Sequence, residues 1–311
     1  MYYGLIEAGG TKFVLGVASA DGTILARHRL PTTSPEETLG QSISWLADQG
    51  YDLAAIGLAS FGPLNLDRAH AEWGSTTRTT KPLWSGTDLV SPFARAFGCP
   101  VGLETDVNGA ALAEATWGAG RGFGSLLYLT VGTGVGGGFV AGGRLLQGMT
   151  HPEMGHIPLP RHPHDTAFPG HCAFHGDCLE GLVAGPAVMA RWAANLSDLG
   201  PDHEGADIVA WYLGAAIVTY QAILAPARIV LGGGVMATPG LIERIRDYAR
   251  SRGGEYFAGN VDEIVTRPGL GNNSGLLGAL AVALEAAGHS LECSSDTWRL
   301  MPIHSQIAGG G

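Results

Sequence analysis

The hydrophobic pattern opens as short apolar runs broken by glycine-rich turns, which is how strands joined by tight hairpins look in a sequence. Tyr2–Glu7 and Phe13–Ala18 read as two strands around an Ala8-Gly9-Gly10-Thr11 turn, and Asp21-Gly22 turns the chain again into Thr23–Leu30. A helix is expected over Pro35–Gln49, with Ser34 as its cap and Pro35 at the first helical position. Ala54–Ala59 and Val101–Thr105 are apolar runs of strand length, and a helical stretch, Asp106–Trp117, begins directly after the second.

The pattern then restarts. Ser125–Val131 and Val135–Ala141 read as strands around Gly132-Thr133-Gly134, and Gly142-Gly143 leads into a third strand, Arg144–Gln147. Both segments run strand, Gly/Thr turn, strand, two-residue glycine turn, strand, so the chain reads as a duplication with copies beginning near residues 2 and 125. Helices follow around Gly185–Asn195 and over Ala206–Leu224, then a buried strand, Arg228–Leu231, closed by Gly232-Gly233-Gly234. Two more helices are expected over Pro239–Arg252 and Ser274–Ala287. The tail after Gly288 is polar, ends in three glycines and is expected to be partly disordered. The expected division is a smaller N-terminal α/β domain, 1–115, joined by C-terminal residues 288–305, and a larger α/β domain, 116–287.

With 311 residues, 45% apolar and 15% charged, the chain can bury a core in each of two domains. Lys and Arg together number 18 against 28 Asp and Glu, and the formal charge is −10. The only lysines are Lys12 and Lys81, and no basic run exists to track a phosphate backbone. Nucleic acid and anionic membrane are therefore excluded as expected partners. Met1-Tyr2-Tyr3-Gly4 opens no signal peptide, and apolar stretches such as Leu276–Ala287 are too short to span a bilayer. A cytoplasmic protein is expected. Cys99 and Cys293 stand alone and are expected to be small buried hydrophobes.

A small anion site built from backbone N–H groups needs no net charge. The two Gly/Thr turns suit one, because a turn without Cβ atoms lets successive amides approach a phosphate, and Thr11 and Thr133 add hydroxyl donors. Two such turns facing each other across a cleft would hold a polyphosphate at both ends. Gly132-x-Gly134-x-x-Gly137 fits the letters of a dinucleotide fingerprint, but the glycine-rich, strand-like residues after it cannot open a helix. Gly232-Gly233-Gly234 gives a bare backbone against which a nucleobase could lie.

Asp106 follows a strand and opens a helix, which suits an N-cap. The same geometry would hold a carboxylate, kept charged by the helix N-terminus, as proton acceptor for a hydroxyl attacking phosphorus. Glu7 is the candidate to hold Mg²⁺ through water. His156, Cys172, His175 and Cys178 form an H-x15-C-x2-H-x2-C pattern that suits tetrahedral Zn²⁺, with His171 as the alternative first ligand. Four protein ligands leave no open position, so the zinc would be structural and would fasten a loop over 150–180. Glu153, His156 and Glu180, beside this loop, suit vicinal sugar hydroxyls.

Glu153-Met154-Gly155-His156 followed by Cys172-x-x-His175-Gly176-x-Cys178-x-Glu180 resembles the signature of the ROK family of repressors and sugar kinases. Ala8-Gly9-Gly10-Thr11-Lys12, Glu104-Thr105-Asp106-Val107-Asn108, the block from Thr130 to Gly138 and Leu231-Gly232-Gly233-Gly234-Val235 resemble its other blocks, in the expected order. The resemblance implies a two-domain actin-like ATPase (duplicated ribonuclease H-like) fold, a homodimer, and ATP with Mg²⁺ in the interdomain cleft. It implies Asp106 as general base, and sugar contacts from Glu153, His156 and Glu180, with His156 also touching zinc. Gly9, Gly10, Thr11, Lys12, Gly132, Thr133 and Gly134 match the phosphate turns, and Gly232, Gly233 and Gly234 the nucleotide block. Thr105 stands where the family's glucokinases usually carry a sugar-binding Asn. That departure, the Cys-x2-His-x2-Cys spacing, the Ala59–Leu64 block with Gly62 and Pro63, and Thr80–Trp84 resemble the bacterial fructokinase branch. Fructose is the expected substrate, with glucose, mannose and N-acetylhexosamine as alternatives. A family repressor would need a helix-turn-helix domain before the first hairpin, and a sugar-binding protein without catalysis would have no need of Asp106.

Overall fold

The computed structural model describes residues 1–200, 203–294 and 297–302, with backbone only for 290–294 and 297–302. Its contacts divide the chain into two units. The first comprises 1–122, 140–151 and the chain from 270 onward; the second comprises 123–139 and 152–269.

The first unit is built on a five-stranded sheet of β1 (Tyr2–Ala8), β2 (Lys12–Ser19), β3 (Ile24–Pro31), β4 (Leu53–Ser60) and β5 (Val101–Thr105), in the order β3-β2-β1-β4-β5. β3-β2-β1 is antiparallel, and β1-β4-β5 is parallel. The strands are apolar on both faces because both faces are covered. Phe13, Leu15 and Val17 of β2 point into one core with Leu39 and Leu46 of α1 (Pro35–Asp48) and Phe93 of α2 (Ser91–Phe97). Val14 and Ala18, one residue out of phase, point into the other with Ala113 of α3 (Asp106–Trp117). Ser34 caps α1, its hydroxyl accepting from Glu37 N at 3.3 Å.

The second five-stranded sheet consists of β6 (Ser125–Val131), β7 (Val135–Ala141), β8 (Arg144–Leu145), β9 (Arg228–Gly232) and β10 (Val265–Thr266) in the order β10-β9-β6-β7-β8. Read from the other edge, this is the strand order of the first sheet, which is what a duplicated ribonuclease H-like domain requires. β7 runs through the unit boundary, and β8 counts with the first unit. The second core is closed by α4 (Leu179–Val183), α5 (Gly185–Trp192), α6 (Glu204–Leu224), α7 (Leu241–Gly253) and α8 (Val261–Ile264). α6 is long and apolar enough to cross a membrane by composition, unlike anything expected from the sequence, but its apolar face is spent on this core.

The last helix, α9 (Ser274–Ala286), departs from the sequence division. It was expected in the second domain, but it packs on β1, β4, β5 and α3 of the first unit. Glycines permit the approach: a Cβ on Gly278 would run into the Gly109 backbone of α3, and one on Gly57 into Ala279 O. In the tail, β11 (His289–Ser294) and β12 (Thr297–Pro302) form an antiparallel hairpin that the sequence pattern did not mark. The side chain of Cys293 and the terminal glycines lie outside the described residues. Cys99 is half-buried against the first core rather than fully enclosed.

Candidate active site

In the first unit, strand register sets the site. Ala8 of β1 stands beside Ser60 of β4, which stands beside Thr105 of β5. The Gly9–Thr11 turn, the Gly62-Pro63 segment and Asp106 therefore leave the sheet from one edge, at the carboxyl ends of parallel strands where such sheets bind ligands. Gly9 N donates to Lys12 O at 2.9 Å to close the turn, and a Cβ on residue 9 would lie 2.8 Å from that oxygen. Gly10, Thr11 and Lys12 are exposed, and Thr32 braces the turn from behind by donating its hydroxyl to Gly9 O at 2.7 Å. Gly62 is half-buried and Pro63 exposed.

Asp106 is not the N-cap that its position suggested. Thr105 is, with extended backbone angles and Oγ1 accepting from Asn108 N at 3.2 Å, so Asp106 is the first helical residue of α3. Asp106 Oδ1 accepts from Val107 N at 2.9 Å. Thr105, expected to touch sugar, is buried and spends its hydroxyl on this cap.

A group not singled out from the sequence lies directly behind. Glu104 is 6% exposed, accepts from Asn108 Nδ2 at 2.7 Å and Thr105 N at 3.1 Å, and receives Gln147 Nε2 at 3.2 Å. It thereby grips the residues on both sides of Asp106. It also lines a cavity of about 990 Å³ with Arg68, Gln147 and His151. A lone Glu in an otherwise apolar strand was the available signal. Burial pushes its carboxyl above the ordinary 4.5, with hydrogen bonds from Asn108 and Thr105 pulling the other way. A carboxyl raised on folding holds its proton more tightly in the folded chain, so its stabilising contribution is complete below that ordinary value and is lost as pH rises through the raised one. Glu104→Gln keeps an acceptor for Asn108 and lets Gln147 turn its amide. Urea unfolding from about pH 4.5 to about pH 7 is expected to show a shallower loss of stability with rising pH in the variant. An unchanged slope counts against the assignment.

In the second unit, Thr130 of β6 pairs with Gly232 of β9, so the Gly132–Gly134 turn and Gly233-Gly234 also share one edge. A Cβ on Gly132 would lie 3.8 Å from Gly234 N, and Gly233 has φ 92° with its Cα against the Val131 backbone. The expected nucleotide residues of this unit are thus neighbours. Gly132-x-Gly134-x-x-Gly137 sits in a hairpin between β6 and β7 and opens no helix. Thr133 is exposed; Gly185 N, at the start of α5, donates to Gly132 O at 2.7 Å.

Glu153 is exposed on a short turn whose His156 N donates back to Glu153 O at 3.0 Å. His156 turns its Nδ1 toward Cys178 Sγ at 3.4 Å, Cys172 Sγ at 3.7 Å and His175 Nδ1 at 3.2 Å, and His175 Nδ1 lies 3.7 Å from Cys172 Sγ. All four ligand atoms fall within 4.8 Å of one another, and His171, the alternative ligand, is not among them. A tetrahedral zinc with bonds of about 2.3 Å to sulfur and about 2.0 Å to nitrogen separates N–S neighbours by ~3.5 Å and N–N neighbours by ~3.3 Å. The residues fit the metal. Burial pushes the Cys178 thiol up to about 11, with the neighbouring Cys172 adding to the rise. Glu180, two residues on, is half-buried, and its Oε2 accepts from Val135 N at 3.0 Å, immediately after the Gly132–Gly134 turn.

The ROK family profile matches residues 3–286. The chain is 48% identical over 292 residues to a fructokinase of Zymomonas mobilis, covering 91% of this chain and 97% of that one. It is 41% identical over 288 residues to a putative fructokinase of Bacillus subtilis, covering 91% and 95%. Among solved structures, a ROK hexokinase from Thermus thermophilus superposes with a TM-score of 0.76 at 31% identity, covering 91% of this chain and 98% of the other.

Proposed function

The chain belongs to the ROK family, and from that premise we propose that it is an ATP-dependent fructokinase, transferring the γ-phosphoryl group of ATP to the 6-hydroxyl of D-fructose. The observation that carries this reading is identity to named fructokinases over nearly the full length of both chains. Asp106 takes the proton of the attacking hydroxyl as that oxygen bonds to phosphorus and the bond to ADP breaks. The Gly9–Thr11 turn with Lys12, the Gly132–Gly134 turn and Gly232–Gly234 contact the nucleotide, and Gly62, Pro63, Glu153, His156 and Glu180 surround the sugar.

Mg²⁺, when bound, neutralises charge on the phosphates. Glu7 would hold it through water: this half-buried carboxylate lies against Gly275, and burial raises its pKa against the pull of Lys12, Arg27 and Arg29. Such a group gains from a nearby hydrated cation. Zinc, held by His156, Cys172, His175 and Cys178, would leave His156 Nε2 in a fixed tautomer toward the sugar. Cysteine ligands kept as thiolates suit the reducing cytoplasm.

A coupled ADP-release assay across fructose, mannose, glucose and N-acetylglucosamine tests the reading. Fructose is expected to give the highest kcat/KM. A preference for glucose would move the chain to the glucokinase reading, and tight sugar binding without ADP release would make it a sugar-binding regulator.

A further inference from the structure

Val135, the residue that leaves the second phosphate turn, is held from two sides by the segments expected to touch sugar. Its N–H is taken by Glu180 Oε2 at 3.0 Å, and its carbonyl oxygen lies where a Cβ on Gly155 would be. The turn leading to it is closed by Gly132 N donating to Gly134 O at 2.9 Å. Gly134 is a glycine for the same reason: a Cβ there would lie 2.7 Å from Glu180 Oε2. Glu180 in turn sits in the first turn of α4, two residues after Cys178 of the four-residue Cys/His cluster.

We propose that Glu180 is a positioning residue for the nucleotide as well as a sugar contact, its Oε2 locking the Gly132–Val135 turn so that the turn's amides face the phosphates. The proposal rests on the kinase reading. A side-chain oxygen holding a backbone N–H keeps that amide from turning toward solvent or phosphate, and fixes the angle of the amides before it. One carboxylate thus joins three parts of the second unit: the metal loop through its neighbour Cys178, the sugar through its other oxygen, and the phosphate turn through Val135. Sugar affinity and nucleotide affinity share this group, and they separate on substitution. Glutamine retains an oxygen that can accept from Val135 N but has no charge to offer a sugar hydroxyl. Alanine loses both functions.

The test measures binding of a non-hydrolysable ATP analogue without sugar, KM for ATP, and KM for fructose, in wild type, Glu180→Gln, Glu180→Ala and Gly134→Ala. Zinc content and melting curves accompany each. Glu180→Ala is expected to weaken analogue binding about tenfold, the scale of a lost hydrogen bond to a charged group. Glu180→Gln is expected to bind the analogue within about twofold of wild type while its KM for fructose rises. Gly134→Ala, which displaces the carboxylate but leaves the metal loop's sequence intact, is expected to resemble Glu180→Ala for nucleotide. It carries the test if Glu180→Ala does not fold. Wild-type analogue affinity in both Glu180→Ala and Gly134→Ala overturns the tether while leaving the kinase reading standing. Failure of the wild type to bind the analogue or turn over any sugar overturns the kinase reading, and the tether with it.

Discussion

Asp106→Asn is expected to lower kcat by about 10²- to 10⁴-fold, the usual worth of a general base, while KM for fructose changes by only a few-fold. The substitution is chosen for what it keeps. Asparagine has the length of aspartate and retains an oxygen to accept from Val107 N, as Asp106 Oδ1 does at 2.9 Å. The cap on α3 belongs to Thr105, so the helix start is not disturbed by changing its neighbour. Glu104 still grips Thr105 N and Asn108 Nδ2 on either side. What is removed is the ability to take a proton. A loss of about 10³ in rate corresponds to ~4 kcal/mol of transition-state stabilisation, far beyond what a small shift of a surface carboxylate would cause. A variant that keeps kcat within tenfold of wild type would remove Asp106 from the reaction and leave it a helix-start residue.

That Thr105 and not Asp106 caps α3 shows where sequence patterning reaches its limit. Thr and Asp are both good caps, they are adjacent, and the choice lies in backbone angles. The paired glycine turns, by contrast, were legible, because each needs glycine locally and each lies between two strand-length apolar runs. The strand orders β3-β2-β1-β4-β5 and β8-β7-β6-β9-β10 follow from that repeated pattern. α9 was legible as a helix but not as part of the first unit. It is apolar on nearly every side, so its own pattern points to no particular partner, and its docking rests on Gly57, Gly109 and Gly278, far apart in the chain. The β11–β12 hairpin was missed because no Gly or Asn-Gly turn lies between its strands. The Cys/His cluster was readable from spacing as a candidate metal site, whereas the choice of His156 over His171 needed contacts over 16 and 22 residues. The bond from Glu180 to Val135 spans 45 residues and left no trace in local pattern.

Stripping zinc with a strong chelator is expected to lower Tm by about 5–10 °C, the fall that a loss of a few kcal/mol gives in a chain of this size, and to lower activity with it. The donors explain why the effect is large. Two sulfurs and two imidazole nitrogens within 4.8 Å have little to offer one another without a cation, and burial pushes the Cys178 thiol up to about 11. The opening should be confined to one end of the loop. Its middle is held without metal by the buried Asp165, which pairs with Arg191 Nε at 3.1 Å and accepts from Tyr212 Oη at 2.8 Å. Hydrogen exchange should therefore rise around Cys172 and Cys178 while the backbone near Asp165 stays protected. Glu180 lies two residues past Cys178, so loss of order there also releases Val135 and the Gly132–Gly134 turn proposed to hold phosphate, which is why turnover should fall together with stability. Zinc added back should restore both, and magnesium in excess should restore neither, which separates the loop metal from the one that accompanies ATP. An unchanged melting curve with metal analysis showing complete removal would mean that the four side chains meet for packing alone.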